Sequence, residues 1–362
     1  MPVIFKRKQK GARLAAVVSE LEDAVAARDG DRTGHAFTAV MSGAQSASDA
    51  ELIQAGPRLA ALIPSFPPTG PRPTLAMAAG FCVERGADPA ACAEPILSAV
   101  HKDLLDALEF ARRWTAGGAE DELPEPDEKI IDDALLARLG GDAYEATRLA
   151  LAWCSAEEWQ PPALAVLCRS AEVRHRFASA ILPVCRDVEA LERHDLKCLS
   201  YALAVLDDEP LLVLHGPTGR GFEVRIGGIG DNFQLHTLLA HVLVGGGHVP
   251  GNKPSVESVR LATDPEPARG RSETVSTGTF ELLAPDGARI WNEGLPDDIP
   301  VVEGRRLLVL DEPMYERSWN ADRFFPHLPG TAVLTRVLTT DETRTWFART
   351  SAGSGSQELG RK

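Results

Sequence analysis

Pro210-Leu-Leu-Val-Leu-His215-Gly-Pro-Thr-Gly-Arg-Gly221-Phe-Glu-Val-Arg-Ile-Gly227 is the passage of this 362-residue chain on which its fold class turns. Residues 210–215 are a short apolar run of the kind that forms an inner strand. A glycine- and proline-rich turn follows at 216–221, where Gly219 and Gly221 are expected to supply unusual backbone angles. Phe222, Val224 and Ile226 then alternate with Glu223 and Arg225, a two-residue period that predicts a second strand. A strand after the turn makes an antiparallel hairpin. A helix there would open a parallel α/β sheet.

Working downstream, Asp231 to Gly245 reads as a helix. The Asp231-x-x-Gln234 spacing fits a capping box, the Asp oxygen accepting from the third amide while Gln234 reaches back. Gly246 to Thr277 is polar and rich in proline and glycine, and predicts a mobile loop. Thr279–Ala284 and Ala288–Trp291 flank Pro285-Asp286-Gly287, a short hairpin signal. Arg306–Leu310 and Ala332–Leu338 add two strands, and the Gly/Ser-rich tail at 350–362 predicts flexibility.

Upstream, the sequence is helix after helix. Leu14, Val17, Val18, Leu21 and Val25 mark one buried stripe, ended by Asp29-Gly30. Ala47 to Ile63 is a second helix, closed by a proline-rich joint at 64–73. Leu97, Val100, Leu104, Leu108 and Ala111 make another stripe, as do Val173, Phe177, Ile181, Val184 and Val188, with Pro183 inside. The acid- and proline-dense block Glu120–Glu128 reads as a solvated linker. No fixed repeat period is present. The expected class is α+β: a helical bundle or stack, then a mixed domain with a predominantly antiparallel sheet. The expected divisions are helical regions at 1–118 and 131–206 joined by an acidic linker at 119–130, an α+β domain at 207–349, and the tail.

Residues 211–221 resemble the strand and loop that open P-loop ATPases, and Leu307-Leu-Val-Leu-Asp311-Glu312-Pro313 resembles their second acidic motif. That resemblance implies a polyphosphate cradle. The chemistry needs Lys and Ser or Thr directly after the last glycine, and those places hold Phe222 and Glu223. A carboxylate facing polyphosphate repels it, so the residues argue against a working site and leave at most a degenerate nucleotide-binding module.

The 52 acidic residues outnumber 38 basic ones for a net charge of −14, which disfavours nucleic acid as a partner. Apolar content of 44% excludes global disorder. No apolar run of about eighteen residues predicts a membrane span, and the basic start (Lys6, Arg7, Lys8, Lys10, Arg13) lacks a secretory core and reads as a solvated arm. Six cysteines without a Cys-x-x-Cys pair, mostly in apolar helical patterns, read as buried thiols of a cytoplasmic protein. Arginine far outnumbers lysine and alanine is abundant, a composition typical of a high-G+C bacterial genome.

Four histidines, His215, His236, His241 and His248, fall within 34 residues. His236 and His241 lie about 140° apart around a helix, so they do not share a face as metal ligands would, and the residues predict no metal set and name no cofactor. Asn232 and His236 do share a face, beside Asp231. A site is conceivable where this helix start meets the His215 turn, with His236 as general base, Asp231 its orienter, and Arg220 with the helix amides, helped by Arg225, stabilising an anion. The plain alternative is that Asp231 caps, His236 packs and His241 is solvated. His248, in a glycine-rich loop, fits a lid or an ordinary loop. Trp291-Asn292 and Trp319-Asn320, with Arg317 and Arg323 near the second, suit stacking against a ligand or closing a core edge.

No Gly-x-Ser-x-Gly elbow, dinucleotide fingerprint or reactive-cysteine context is present. The leading expectation is therefore an accessory or interaction protein binding a protein, peptide or small molecule, away from nucleic acid and membrane. The alternative is an enzyme, metal-dependent or not, with its site around residues 215–241.

Overall fold

The computed structural model describes residues 3–67, 71–116, 122–264 and 273–350, with side chains from residue 14 onward. The chain forms two compact units, Met1–Leu203 and Ala204–Lys362.

The first unit is helical: α1 (Val3–Ala26), α2 (Gly30–Ala44), α3 (Asp49–Leu62), α4 (Arg72–Glu84), α5 (Pro89–Ala116), α6 (Asp133–Leu139), α7 (Ala143–Ser155), α8 (Gln160–Leu167), α9 (Ala171–Glu189) and α10 (Lys197–Leu203). The predicted stripe of α1 is real, with Leu14, Val18 and Leu21 fully buried. The expected basic arm belongs to α1 in its backbone, and its side chains lie outside the described residues. Asp29 caps α2 by accepting from the Arg32 amide at 3.0 Å. The long α5 is the spine. Its stripe of Ile96, Leu97, Val100, Leu104, Ala107 and Phe110 packs against α3, α7, α8 and α9.

One polar cluster crosses this apolar interior. Arg72 and Asp103 form a buried ion pair, and the Trp159 Nε1–H donates to Asp103 Oδ2 at 3.0 Å. Residues 122–130 are solvated as expected, with none of them buried and the Glu122 and Glu125 side chains 88% and 81% exposed, but residues 122–124 are also tied to the unit. Trp114 Nε1 donates to the Glu122 carbonyl, Arg193 Nε to that of Leu123 and Trp153 Nε1 to that of Pro124, at 2.9–3.1 Å. Backbone carbonyls, not the acids, make these bonds, so charge composition did not reveal them. Residues 117–121 of that block lie outside the described residues, as do those of the tail.

The second unit contains β1 (Glu209–His215), β2 (Arg220–Gly227), α11 (Asn232–Leu243), α12 (Val256–Thr263), β3 (Val275–Thr277), β4 (Glu281–Leu283), β5 (Val301–Val302), β6 (Arg305–Asp311), β7 (Ser318–Asn320), β8 (Thr331–Val337) and α13 (Thr340–Thr350). The main sheet runs β4-β6-β1-β2-β8, with β5 also on β6. Every pairing is antiparallel except β1 with β6. The protein is α+β, with helices first and a mostly antiparallel mixed sheet after them.

The decisive passage folds as a hairpin. His215 pairs with Arg220 and Val213 with Phe222, so the strand begins at Arg220, residue 222 lies within it, and no helix N-terminus points at the turn. Gly219 has φ +62, as expected of a turn glycine. Gly221 does not. It is small because a Cβ there would lie 2.7 Å from Leu338 Cδ1.

β1 is covered on both faces, which explains its unbroken apolar run. Leu211 and Val213 pack with Leu235, Leu239 and Leu243 of α11, while Leu212 and Leu214 pack with Trp346 and Phe347 of α13. No helix among the described residues is long and apolar enough to cross a membrane.

Three expectations need correction here. The stretch 246–277 contains α12 and β3, and β3 pairs with β7 in a separate two-stranded sheet; residues 265–272 lie outside the described residues. The capping box is half formed. Asp231 accepts from the Gln234 amide, but Gln234 accepts from the Gly230 amide and donates to the Ala262 carbonyl, pinning α12 to α11. The second arm of the 285–287 hairpin is reduced to a single bridge, Leu283 with Arg289.

Candidate functional site

The parallel register of β1 and β6 sets His215 opposite Leu310, so both strands leave the sheet at the same end. Gly216 then sits against Asp311; a Cβ on it would lie 3.5 Å from Asp311 Oδ1. The two stretches that resemble a P-loop ATPase are thus spatial neighbours, although only the strand pairing is shared. Between them lies a cleft of about 300 Å³ lined by His215, Asn252, Thr279, Asp311, Glu312 and the rings of Pro217, Pro250 and Pro313.

Each wall is fixed locally. His215 is 3% exposed, its Nδ1 hydrogen-bonded to Thr218 Oγ1 at 2.8 Å and its ring edge-on to Phe280 at 5.8 Å. Burial pushes its pKa down, against the pull of Asp311 and Glu312. The Thr279 hydroxyl donates to the Asn252 carbonyl at 2.8 Å, fastening the 250–252 loop to β4. Asp311 Oδ1 accepts from the Glu312 amide at 2.8 Å, turning the chain out of β6.

The carboxylates stand out by what they lack. The other strand carboxylates of the sheet all face arginine: Glu209 faces Arg306, Glu223 faces Arg305 and Arg336, and Glu281 faces Arg289 and Arg317. Among the described residues neither Asp311 nor Glu312 has a cationic partner. They face the cleft and solvent instead.

The expected His236 constellation does not assemble. His236 is 1% exposed, and its Nε2 accepts from the backbone amides of Thr279 and Phe280, both at 3.0 Å. That nitrogen has no lone pair left for a substrate proton. Phe280 at 5.5 Å and Trp319 at 5.0 Å enclose the ring, and burial pushes its pKa down to about 4. Asp231 caps α11 rather than orienting the imidazole. Asn232 Nδ2 donates to the Trp291 and Leu295 carbonyls, at 2.9 and 3.2 Å. Arg220 donates to the His248 carbonyl and lies over Phe222, and Arg225 donates to Asp208. His215 and His236 both touch Phe280 without meeting. His241 is exposed, and His248 is tied to the end of α11 through its amide and the Leu243 carbonyl at 2.8 Å.

The aromatic pairs also separate. Trp319 packs on Phe233 and His236 and closes a core edge, whereas Trp291 is 76% exposed. Asn292 is buried and accepts from the Phe233 amide through its carbonyl, while Asn320 pairs with Val275 in the small sheet. Arg317 goes to Glu281, and Arg323 to the Asp264 and Pro326 carbonyls, so the two do not converge. Among the described residues no group of three or more His, Cys, Asp or Glu is placed to hold a metal ion.

His215 was among the residues singled out in the sequence, and Asp311-Glu312-Pro313 stood out only for its resemblance to an acidic motif. Asn252 and Thr279 carried no signal at all; they reach the cleft only because α11 and β4 bring the 250–252 loop and residue 279 together. Comparison with family models, with curated proteins and with solved structures gave no match for this chain.

Proposed function

We propose that this chain is a binding protein whose second unit receives a basic group of a protein or peptide partner in the cleft between the exits of β1 and β6. The observation that carries the reading is the pair Asp311 and Glu312 at the end of β6, which have no cationic partner among the described residues, whereas the carboxylates Glu209, Glu223 and Glu281 within the sheet all face arginine. Carboxylates without a cationic partner among the described residues, at the rim of a concave, proline-walled cleft, suit a guanidinium or ammonium, which brings the counter-charge. The hydrogen bonds of Asp231, Gln234 and His236 around α11 support the same reading, because they hold structure. We further place the protein inside a bacterial cell as an accessory or interaction partner, on its arginine-rich composition and its largely buried thiols.

The test is fluorescence anisotropy with a short arginine-containing peptide and its glutamate-containing counterpart. The arginine peptide is expected to bind at low salt, and Asp311→Asn with Glu312→Gln to weaken it about tenfold or more. Equal binding of the two peptides, or an unchanged affinity in the double variant, would refute the proposal.

A second reading rests on His215, an imidazole whose pKa burial lowers, in the same cleft beside two carboxylates, which is the composition of an acid–base site. It predicts that His215→Gln abolishes a turnover that the carboxylate variants merely weaken. Peptide binding that survives His215→Gln with no reaction of the peptide favours the first reading.

A further inference from the structure

The first unit carries a groove of its own, with a volume of about 730 Å³, between the end of α1, the face of α2, the 64–67 turn and Tyr144 of α7. Its walls are apolar and aromatic. Phe37 and Phe66 lie 6.0 Å apart, Pro64 and Pro71 close one side, and Tyr144 stands 58% exposed at the rim. Gly34 presents no side chain on α2, and a Cβ built there meets nothing within 4 Å. A volume and lining of this kind belong to small-molecule sites.

Among the described lining residues the single charge is Arg28, and its backbone is unusual. α1 ends in a turn in which the Arg28 amide donates to the Val25 carbonyl and the Asp29 amide to that of Ala24, with Arg28 at φ +53. Glycine normally takes that left-handed position, and a residue with a Cβ holds it at a cost. The neighbouring arginines are neutralised, Arg32 by Glu20 at 2.7 Å and Arg58 by Glu22 at 2.6 Å. Among the described residues Arg28 has no such partner, although the chain carries an excess of carboxylates. A costly backbone state therefore sets an exposed arginine, without an acidic partner among the described residues, in the lining of an apolar groove.

We propose that this groove binds a small amphipathic carboxylate, with its hydrocarbon or aromatic body against Phe37, Phe66 and the prolines and its carboxylate on Arg28. The apolar walls supply affinity through burial, and the guanidinium selects an anionic head over a neutral or cationic one.

The experiment is calorimetric titration of the full chain with decanoate, methyl decanoate and decyltrimethylammonium, all below their micelle concentrations, with thermal unfolding in parallel. Decanoate is expected to bind about tenfold or more tightly than the ester, and the cation weakest. Arg28→Gly relieves the left-handed backbone, so the unliganded variant should melt no lower than the parent while its decanoate affinity falls to that of the ester. Arg28→Lys should restore part of the preference. Gly34→Leu occupies the groove and should weaken all three ligands. The proposal is overturned if decanoate and its ester bind alike, if neither binds, or if Arg28→Gly or Gly34→Leu leaves decanoate binding unchanged. None of these measurements touches Asp311 or Glu312, so this outcome and that of the cleft are independent.

Discussion

The start of α11 holds two buried titratable groups whose effects on stability oppose each other, and separating them tests the reading of both. His236 is held near pKa 4 against an ordinary 6.5, chiefly by burial and secondarily by the charge of Arg317. Its folded value is depressed, so its contribution is fully present above pH 6.5 and is lost as pH falls toward 4. Structurally, protonation removes the only acceptor of the Thr279 and Phe280 amides. Asp231 is raised from 3.8 to about 6, chiefly by burial, against the pull of the Gln234 and Phe233 amides. Its folded value is elevated, so its contribution is fully present below pH 3.8 and is lost as pH rises through 6.

At about 1.4 kcal/mol for each tenfold change in proton affinity, either group alone shifts stability by roughly 3 kcal/mol, and the two windows overlap between about pH 4 and 6. The parent chain should therefore show a shallow pH dependence from these two groups. Asp231→Asn keeps a capping oxygen but cannot ionise. In urea titrations of the full chain followed by tryptophan fluorescence, its stability relative to the parent should be near equal at pH 3.5. It should then climb by about 3 kcal/mol by pH 6.5. His236→Gln should show the opposite trend, with its relative stability improving as pH falls. Superimposable pH profiles for the parent and Asp231→Asn would refute the burial argument for the helix start.

Two further predictions concern the first unit. Arg72→Ala strands the buried Asp103 with only the Trp159 indole as partner, and should cost about 3–5 kcal/mol of stability in urea titrations; replacing Arg72 and Asp103 together with Met and Leu should recover most of it, and failure to recover would show that the pair does more than cancel charge. Gly80→Ala places a Cβ 2.9 Å from the Pro162 Cα where α4 meets α8, and should lower stability by about 1–3 kcal/mol, whereas Gly34→Ala on the open face of α2 should be neutral or mildly stabilising; equal effects at the two positions would argue against the α4–α8 approach.

Much of the fold was legible in the sequence because its periodicities are local. The stripe of Leu14, Val18 and Leu21 and the alternation of Phe222, Val224 and Ile226 each report which face of one element is buried, whatever that face meets. Other features were hidden by brevity or by partners distant in sequence. β3 and β7 are three residues each, too short for a period to register, and β3 exists because β7, more than forty residues on, supplies its bonds. The tethering of residues 122–124 was invisible because the indoles and most of the guanidinium contacts go to backbone carbonyls, which every residue carries, and because Arg193 lies some seventy residues on.

The candidate site divides the same way. Residue type and spacing correctly marked Asp231 as a helix cap and the 216–221 passage as a turn between strands, since both depend on neighbours in the chain. They could not tell that His236 would spend its acceptor nitrogen on two amides more than forty residues away, or that Trp319 would close over it. Nor could they tell that Asp311 would arrive beside Gly216 with no arginine partner among the described residues. A side chain's chemistry is written in the sequence, but its availability is the balance left after distant groups have formed their bonds. For this protein that balance was struck only when β1 paired with β6 and α11 packed across the sheet.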